Sequence, residues 1–434
     1  MNRFSERHMS SRRLMRLVPA LVWLIAVIGV PEPALAANAV TLWAEHAMEA
    51  VRAANVGTPA AGRLYAMVTI AMYDAVNGID TARRGVGREH ALVRTDGAPK
   101  GGSRSAAVAA AAHAVLIALV SSQQAVLDAA LADALEAAND GDVSEGATWG
   151  RLVGDQVVAA RANDGTQTAL TIPAGTDVGE YRASFDARYR LMTPFAIRSI
   201  DRYRSGPPPG LTSEAYAEAF NDVKTLGQQD GDAERNAIAT FWLIEGGTPR
   251  ETGVWLQALV PIVEKMRTDR SLSDTARLFA RVSMAIADAV AVSWDTKATY
   301  FTWRPFTAIH EADADGNPDT APDTAWTPRN TSIGSSPEWA SGLSSFSGAA
   351  SAVIEAFYFP RRVSFCFATD LATAPRCYDR PLDAAVEAGR SRIYQGIHFQ
   401  FSNVEGRRVG RRIGLEVALT QLRFCLGGTQ LCLP

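Results

Sequence analysis

Beyond residue 37 the apolar residues return every three or four positions rather than every second one, the period of helices that bury one face. VTLWAEHAMEAVRAAN (40–55), AGRLYAMVTIAMYDAVNG (61–78), SRSAAVAAAAHAVLIALVS (103–121), QQAVLDAALADALEAAND (123–140) and VSEGATWGRLVGDQVVAARAN (143–163) predict a first helical group. Clusters such as Asn139-Asp140-Gly141 and Asn163-Asp164-Gly165 punctuate it. Residues 165–210 are richer in Pro, Gly and Arg and carry no period, so they predict a long connection crossing the surface. A second group follows in TSEAYAEAFNDVKTLG (212–227), AERNAIATFWLIEG (233–246), RETGVWLQALVPIVEKMRTD (250–269) and LSDTARLFARVSMAIADAVAVSWDTKATYF (272–301). After the polar loop DADGNPDTAPDTAWTPRN (313–330), helices resume near 342, 381 and 403. Strand signals are nearly absent, so the pattern predicts an all-α fold of packed bundles, organised as 37–164, a connection 165–210, and 211–434.

Composition narrows the function classes. Within 434 residues, 43 Lys and Arg stand against 46 Asp and Glu, a net charge of -3 that argues against nucleic acid or an anionic membrane as the main partner. Residues 1–36 read as an export signal: Arg3, Arg7, Arg12, Arg13 and Arg16, then an apolar run from Leu21 to Val30, then Ala34-Leu35-Ala36 before a cleavage point at Ala37. The paired arginines of SSRRLMRL suit either a twin-arginine or an ordinary secretory signal, and the apolar run is too short for a stable anchor. The mature chain is therefore expected in the periplasm or secreted. Cys366, Cys377, Cys425 and Cys432 all lie near the C-terminus, and an oxidising compartment makes 366 with 377 and 425 with 432 the simplest disulfides.

Three stretches carry candidate chemistry. In KATYFTWRP, Lys297 and Arg304 are seven residues apart, the spacing of one helix face, before Pro305 interrupts the pattern. Two cations so placed could clamp an oxyanion, and equally could be solvated surface residues. In ASGLSSFSGAASAV, Ser341 and Gly342 precede an Ala-rich helix, which suits an anion site at a helix N-terminus or a plain serine cap. In SRIYQGIHFQF, Arg392 and His398 would not share a face of an unbroken helix, but Gly396 permits a bend that could turn both into one cavity.

Taken in this order, the stretches resemble the superfamily of vanadium-dependent haloperoxidases and type 2 phosphatidic acid phosphatases. Lys297 to Arg304-Pro305 and Ser391-Arg392 to His398 match its outer signatures, and Ala340-Ser341-Gly342-Leu343 stands where the family has Pro-Ser-Gly-His. YAMVTIAMYDAVNGID, SWDTKATYFTWRPFTAI, DADGNPDT and GRSRIYQGIHFQF are similar to the soluble bacterial haloperoxidase-like branch. The resemblance implies a vanadate or phosphate site in which Lys297, Arg304, Arg392, Ser341 and Gly342 hold the oxygens. His398 would be vanadium's axial ligand or, in a phosphatase, the nucleophile. Trp294 and Trp303 are candidate pocket walls.

Two departures qualify that expectation. Leu343 occupies the place of the family's acid-base histidine, with His310 as the best substitute, and Ser402 occupies the place of an aspartate that supports the axial histidine. The sequence thus leaves three readings open: a haloperoxidase-like enzyme with weakened halide oxidation, a phosphatase, and a non-redox homologue that binds an anion or organic substrate. The partners implied are a small anion and, for the first reading, halide, peroxide or an organic substrate, with a homodimer allowed.

Overall fold

The computed structural model describes residues 38–425 except 86, 90 and 331, together with 432 and 433; of 87, 88, 424, 425, 432 and 433 only the backbone is described. The export signal expected at 1–36 lies outside the described residues. Among these residues the first helical group is α1 (Ala39–Ala53), α2 (Thr58–Arg84), α3 (Arg104–Leu119), α4 (Gln124–Ala137) and α5 (Val143–Ala160). The second is α6 (Glu214–Leu226), α7 (Ala233–Phe241), α8 (Arg250–Met266), α9 (Leu272–Tyr300), α10 (Pro305–His310), α11 (Gly342–Tyr358), α12 (Pro381–Tyr394) and α13 (Gln400–Thr420).

The starts follow local chemistry. Side chains of Asn38, Ser103, Asp142, Ser213, Asp232, Ser271 and Ser341 accept a backbone N–H at the N-termini of α1, α3, α5, α6, α7, α9 and α11. Pro305 and Pro381 open α10 and α12, where a missing N–H costs nothing. Helix α7 ends five residues before its predicted stretch does: it stops at Phe241, and Leu243 to Gly246 leave it to form part of a cavity wall.

Two helix pairs are built alike. Gly406, Gly410 and Gly414 of α13 lie so close to α11 that a Cβ there would come within 2.5, 1.8 and 2.3 Å of the Ser341, Ser345 and Ala349 carbonyl oxygens. Gly146, Gly150 and Gly154 of α5 meet Ser103, Ala107 and Ala111 of α3 at 2.2, 2.1 and 2.6 Å in the same sense. A glycine at every fourth position thus lets each pair approach backbone to backbone, and α2 packs against α9 between them.

The 165–210 segment is more than a surface crossing. Phe185, Met192, Phe195, Ile197 and Tyr203 are buried. The Asp288 carboxylate, within α9, accepts the N–H groups of Phe195, Ala196 and Ile197 at 2.6, 2.8 and 2.9 Å. A buried acceptor in a helix satisfies the segment's backbone, which is why it can enter the interior. The short strands Phe365–Phe367 and Arg376–Tyr378 pair antiparallel with Cys366 opposite Cys377, and these cysteines form a disulfide. Cys425 and Cys432 are also backbone partners, but their side chains lie outside the described residues. Among the described residues no helix is long and apolar enough to cross a membrane.

Candidate active site

The three stretches converge, though not as helix periodicity predicts. Helix α9 ends at Tyr300 because Phe301 takes a left-handed conformation, φ 47°. Arg304 then sits in extended backbone, φ -87° and ψ 160°, as the residue before a proline is constrained to do. Lys297 and Arg304 therefore do not share a helix face; they approach one cavity from either side of a chain break. Gly396, at φ 79°, makes the corresponding turn between α12 and α13, where a Cβ would stand 2.7 Å from the Gly227 carbonyl oxygen. That turn aims Arg392 from the last turn of α12 and His398 from the loop into the same space.

The space is a cavity of about 650 Å³ whose wall includes Lys297, Arg304, Arg392, His398, Gly342 and Leu343. Trp294 and Phe346 add aromatic surface. The N-termini of α2, at Gly57, Thr58 and Pro59, of α8, at Arg250 and Glu251, and of α11 all open onto it. Helix N-termini favour negative charge, so backbone and side chains create the same preference.

The polar contacts define the ionisation states. The Lys297 ammonium donates to the carbonyl oxygens of Pro337 and Glu338. Arg304 donates through Nε to the Ser336 carbonyl at 2.7 Å and through Nη1 to the Ile397 carbonyl at 2.6 Å and to His398 Nε2 at 3.0 Å. A guanidinium can only donate, so Nε2 accepts, and the proton of a neutral imidazole sits on Nδ1. Nδ1 donates to Glu338 Oε1 at 2.8 Å, and the Phe399 N–H donates to the same oxygen at 3.0 Å. Burial, reinforced by Arg304, Lys297 and Arg392, holds His398 well below the usual imidazole range and keeps it neutral. Burial pushes the Glu338 carboxyl up, against the pull of Arg304 and Lys297. Lys297 is held well below the usual ammonium range by burial and then by Arg304.

Glu338 is the residue that motif reading misses. It provides the carboxylate behind His398 from the loop before α11, whereas Ser402, at the spacing where support was expected, reaches Nδ1 only at 3.4 Å. The visible signal was a single acid in SSPEWASGL, a run otherwise suited to burial.

Other expected residues stand elsewhere. Ser341 is fully buried and off the cavity wall: its oxygen accepts from the Ser344 hydroxyl at 2.9 Å and the Ser344 N–H at 3.5 Å, so it caps α11. Trp303 is buried in an apolar cluster with Phe220, Trp326 and Phe399 instead of lining the cavity. His310 is also off the cavity wall, bonded to the Trp326 carbonyl at 2.8 Å and packed on Phe306. Trp294 does line the cavity, tethered through its indole N–H to the Asp186 carbonyl at 3.0 Å.

The residues present suit a multiply charged oxyanion. Lys297, Arg304 and Arg392 are buried together, and Arg392 Nε is buried with no hydrogen-bond partner among the described residues. Mutual repulsion and an unsatisfied donor are both relieved by a tetrahedral anion.

Comparison with known proteins finds relatives of this fold. Residues 277–425 match the family described as the VCPO second helical-bundle domain. Vanadium chloroperoxidase of Curvularia inaequalis is 30% identical over 132 residues, 26% of this chain and 21% of that protein. The match thus spans about a fifth of the relative's length. A bacterial vanadium-dependent iodoperoxidase superposes with a TM-score of 0.74 at 22% identity, covering 91% of this chain and 98% of that one. A holo-type bacterial vanadium-dependent chloroperoxidase superposes at 0.64 with 14% identity, covering 84% and 93%.

Proposed function

For a chain that belongs to the vanadium haloperoxidase superfamily, we propose that the cavity binds vanadate or phosphate on Lys297, Arg304 and Arg392, with His398 Nε2 facing its central atom. The convergence of these buried cations on a neutral imidazole, with Arg392 Nε unpartnered, carries the reading. Bound vanadate would supply peroxide-dependent halide oxidation. The chain's own residues do the rest: the cations neutralise the oxygens, the first turn of α11 offers the Gly342 N–H, and Glu338 fixes the His398 tautomer. An oxyanion would take over the Arg304 donor that Nε2 now accepts, freeing the nitrogen lone pair.

Leu343 puts a hydrocarbon on the wall where the family has its proton carrier, so halide oxidation by this chain is proposed to be weak or altered. The Glu338 contact favours a second reading, phosphoester hydrolysis with His398 as nucleophile, because a carboxylate on Nδ1 raises the nucleophilicity of Nε2. Export of the mature chain belongs to the same proposal, and the Cys366–Cys377 disulfide supports it.

Calorimetry of vanadate and phosphate on wild type and His398→Ala, with iodide- and bromide-dependent peroxide turnover and phosphoester hydrolysis on the same samples, tests the proposal. Equal affinity in the two proteins would remove His398 from the site.

A further inference from the structure

A site that cleaves an alkyl phosphoester must deliver a proton to the departing oxygen, and Leu343 cannot do so. His398 is the one histidine on the cavity wall among the described residues, and its Nδ1 is committed to Glu338. The remaining carboxyl groups on that wall are Glu245 and Glu251. Glu245 is exposed, whereas Glu251 is half-buried at the N-terminus of α8. The Thr58 hydroxyl donates to Glu251 Oε2 at 2.5 Å, so the carboxyl is held by the first residue of α2. It lines the same cavity wall as Lys297, Arg304 and Arg392, and its charge favours the protonated form of each.

Resting on the phosphoester-hydrolysis reading of the oxyanion site, we propose that Glu251, positioned by Thr58, is the proton carrier of this site and replaces the imidazole lost at Leu343. In the first half-reaction His398 Nε2 attacks phosphorus and the bond to the ester oxygen breaks. The Glu251 carboxyl passes its proton to that oxygen, releasing an alcohol. In the second, water attacks the phosphorylated imidazole, gives its proton to the Glu251 carboxylate, and phosphate leaves as Nε2 recovers its lone pair. The acid is restored, and no other reactant is consumed. The substrate class that follows is an alkyl phosphomonoester, whose poor leaving group needs such a donor.

The experiment uses the mature chain as wild type, Glu251→Gln and Thr58→Val, with inorganic phosphate binding by calorimetry and hydrolysis of glycerol phosphate and para-nitrophenyl phosphate. Glu251→Gln should bind phosphate within about threefold of wild type and lose on the order of 100-fold or more on glycerol phosphate. It should lose less than about tenfold on para-nitrophenyl phosphate, whose leaving group departs unprotonated. Thr58→Val should show the same selectivity to a smaller degree, which keeps the test valid if Glu251→Gln folds poorly. Equal loss on both esters, or no loss on either, overturns the assignment. Wild type that binds phosphate but cleaves neither ester overturns it while leaving the anion site standing, and wild type that binds no phosphate removes both.

Discussion

His398 Nδ1 lies 2.8 Å from Glu338 Oε1, a contact between residues separated by 60 positions, and both side chains are almost fully buried. The pair fixes which imidazole nitrogen faces the cavity, and it couples the loop before α11 to the loop before α13. Replacing Glu338 with Gln keeps the volume and removes the charge. Affinity for vanadate should fall roughly 10- to 100-fold, as expected when the group behind a ligating histidine is lost. Calorimetry checks it, and Ser402→Ala should change affinity far less.

On the proposed function, Arg392 serves a bound anion at the expense of the free protein. Arg392→Met should hold or raise the melting temperature in buffer without oxyanion, because it removes a buried cation from beside two others. The same variant should lose stabilisation by added phosphate. Wild type should gain about 2.7 kcal/mol at a phosphate concentration 100 times the dissociation constant. Thermal unfolding with and without phosphate measures both effects.

Leu343 is buried in the core yet also lines the cavity wall, so an imidazole at this position would face the proposed anion site. Leu343→His should raise bromide-dependent peroxide turnover in the presence of vanadate by on the order of 100-fold or more. A steady-state assay of wild type beside the variant reads this. An unchanged rate would mean that the cavity differs from a haloperoxidase site in more than its proton carrier.

Gly410 packs against the Ser345 carbonyl, where a Cβ would stand at 1.8 Å. Gly410→Ala should destabilise the protein by roughly 3 kcal/mol or more in urea titration, since the contact is backbone and cannot move aside. Gly210→Ala, where nothing lies within 4 Å, should stay within about 0.5 kcal/mol.

Asp288 gives a pH signature away from the site. Burial raises its carboxyl from 3.8 to about 6 despite three backbone donors. The folded state therefore binds more protons than the unfolded state across that interval, so the contribution of this group to stability falls as pH rises from about 4 to 6. At about 1.4 kcal/mol per pKa unit the loss is roughly 3 kcal/mol. Unfolding midpoints across this range should decline less steeply in Asp288→Asn than in wild type.

By itself the sequence determined most of the architecture, because helical periodicity and side-chain caps are local. The patterns at 40–55, 103–121 and 272–301 correspond to α1, α3 and α9, and Ser103, Ser271 and Ser341 mark starts visible without coordinates. It also named Lys297, Arg304, Arg392 and His398, since their order and spacing are preserved in a motif. Tertiary structure decided what those groups touch. The seven-residue spacing of Lys297 and Arg304 is a helix face in sequence, but the left-handed turn at Phe301 makes it two separate approaches. Glu338 stands behind His398, and Glu251 reaches the cavity wall, only because the fold brings distant loops and helix ends together. Burial and long-range proximity are properties of the packed chain, and no local spacing encodes them.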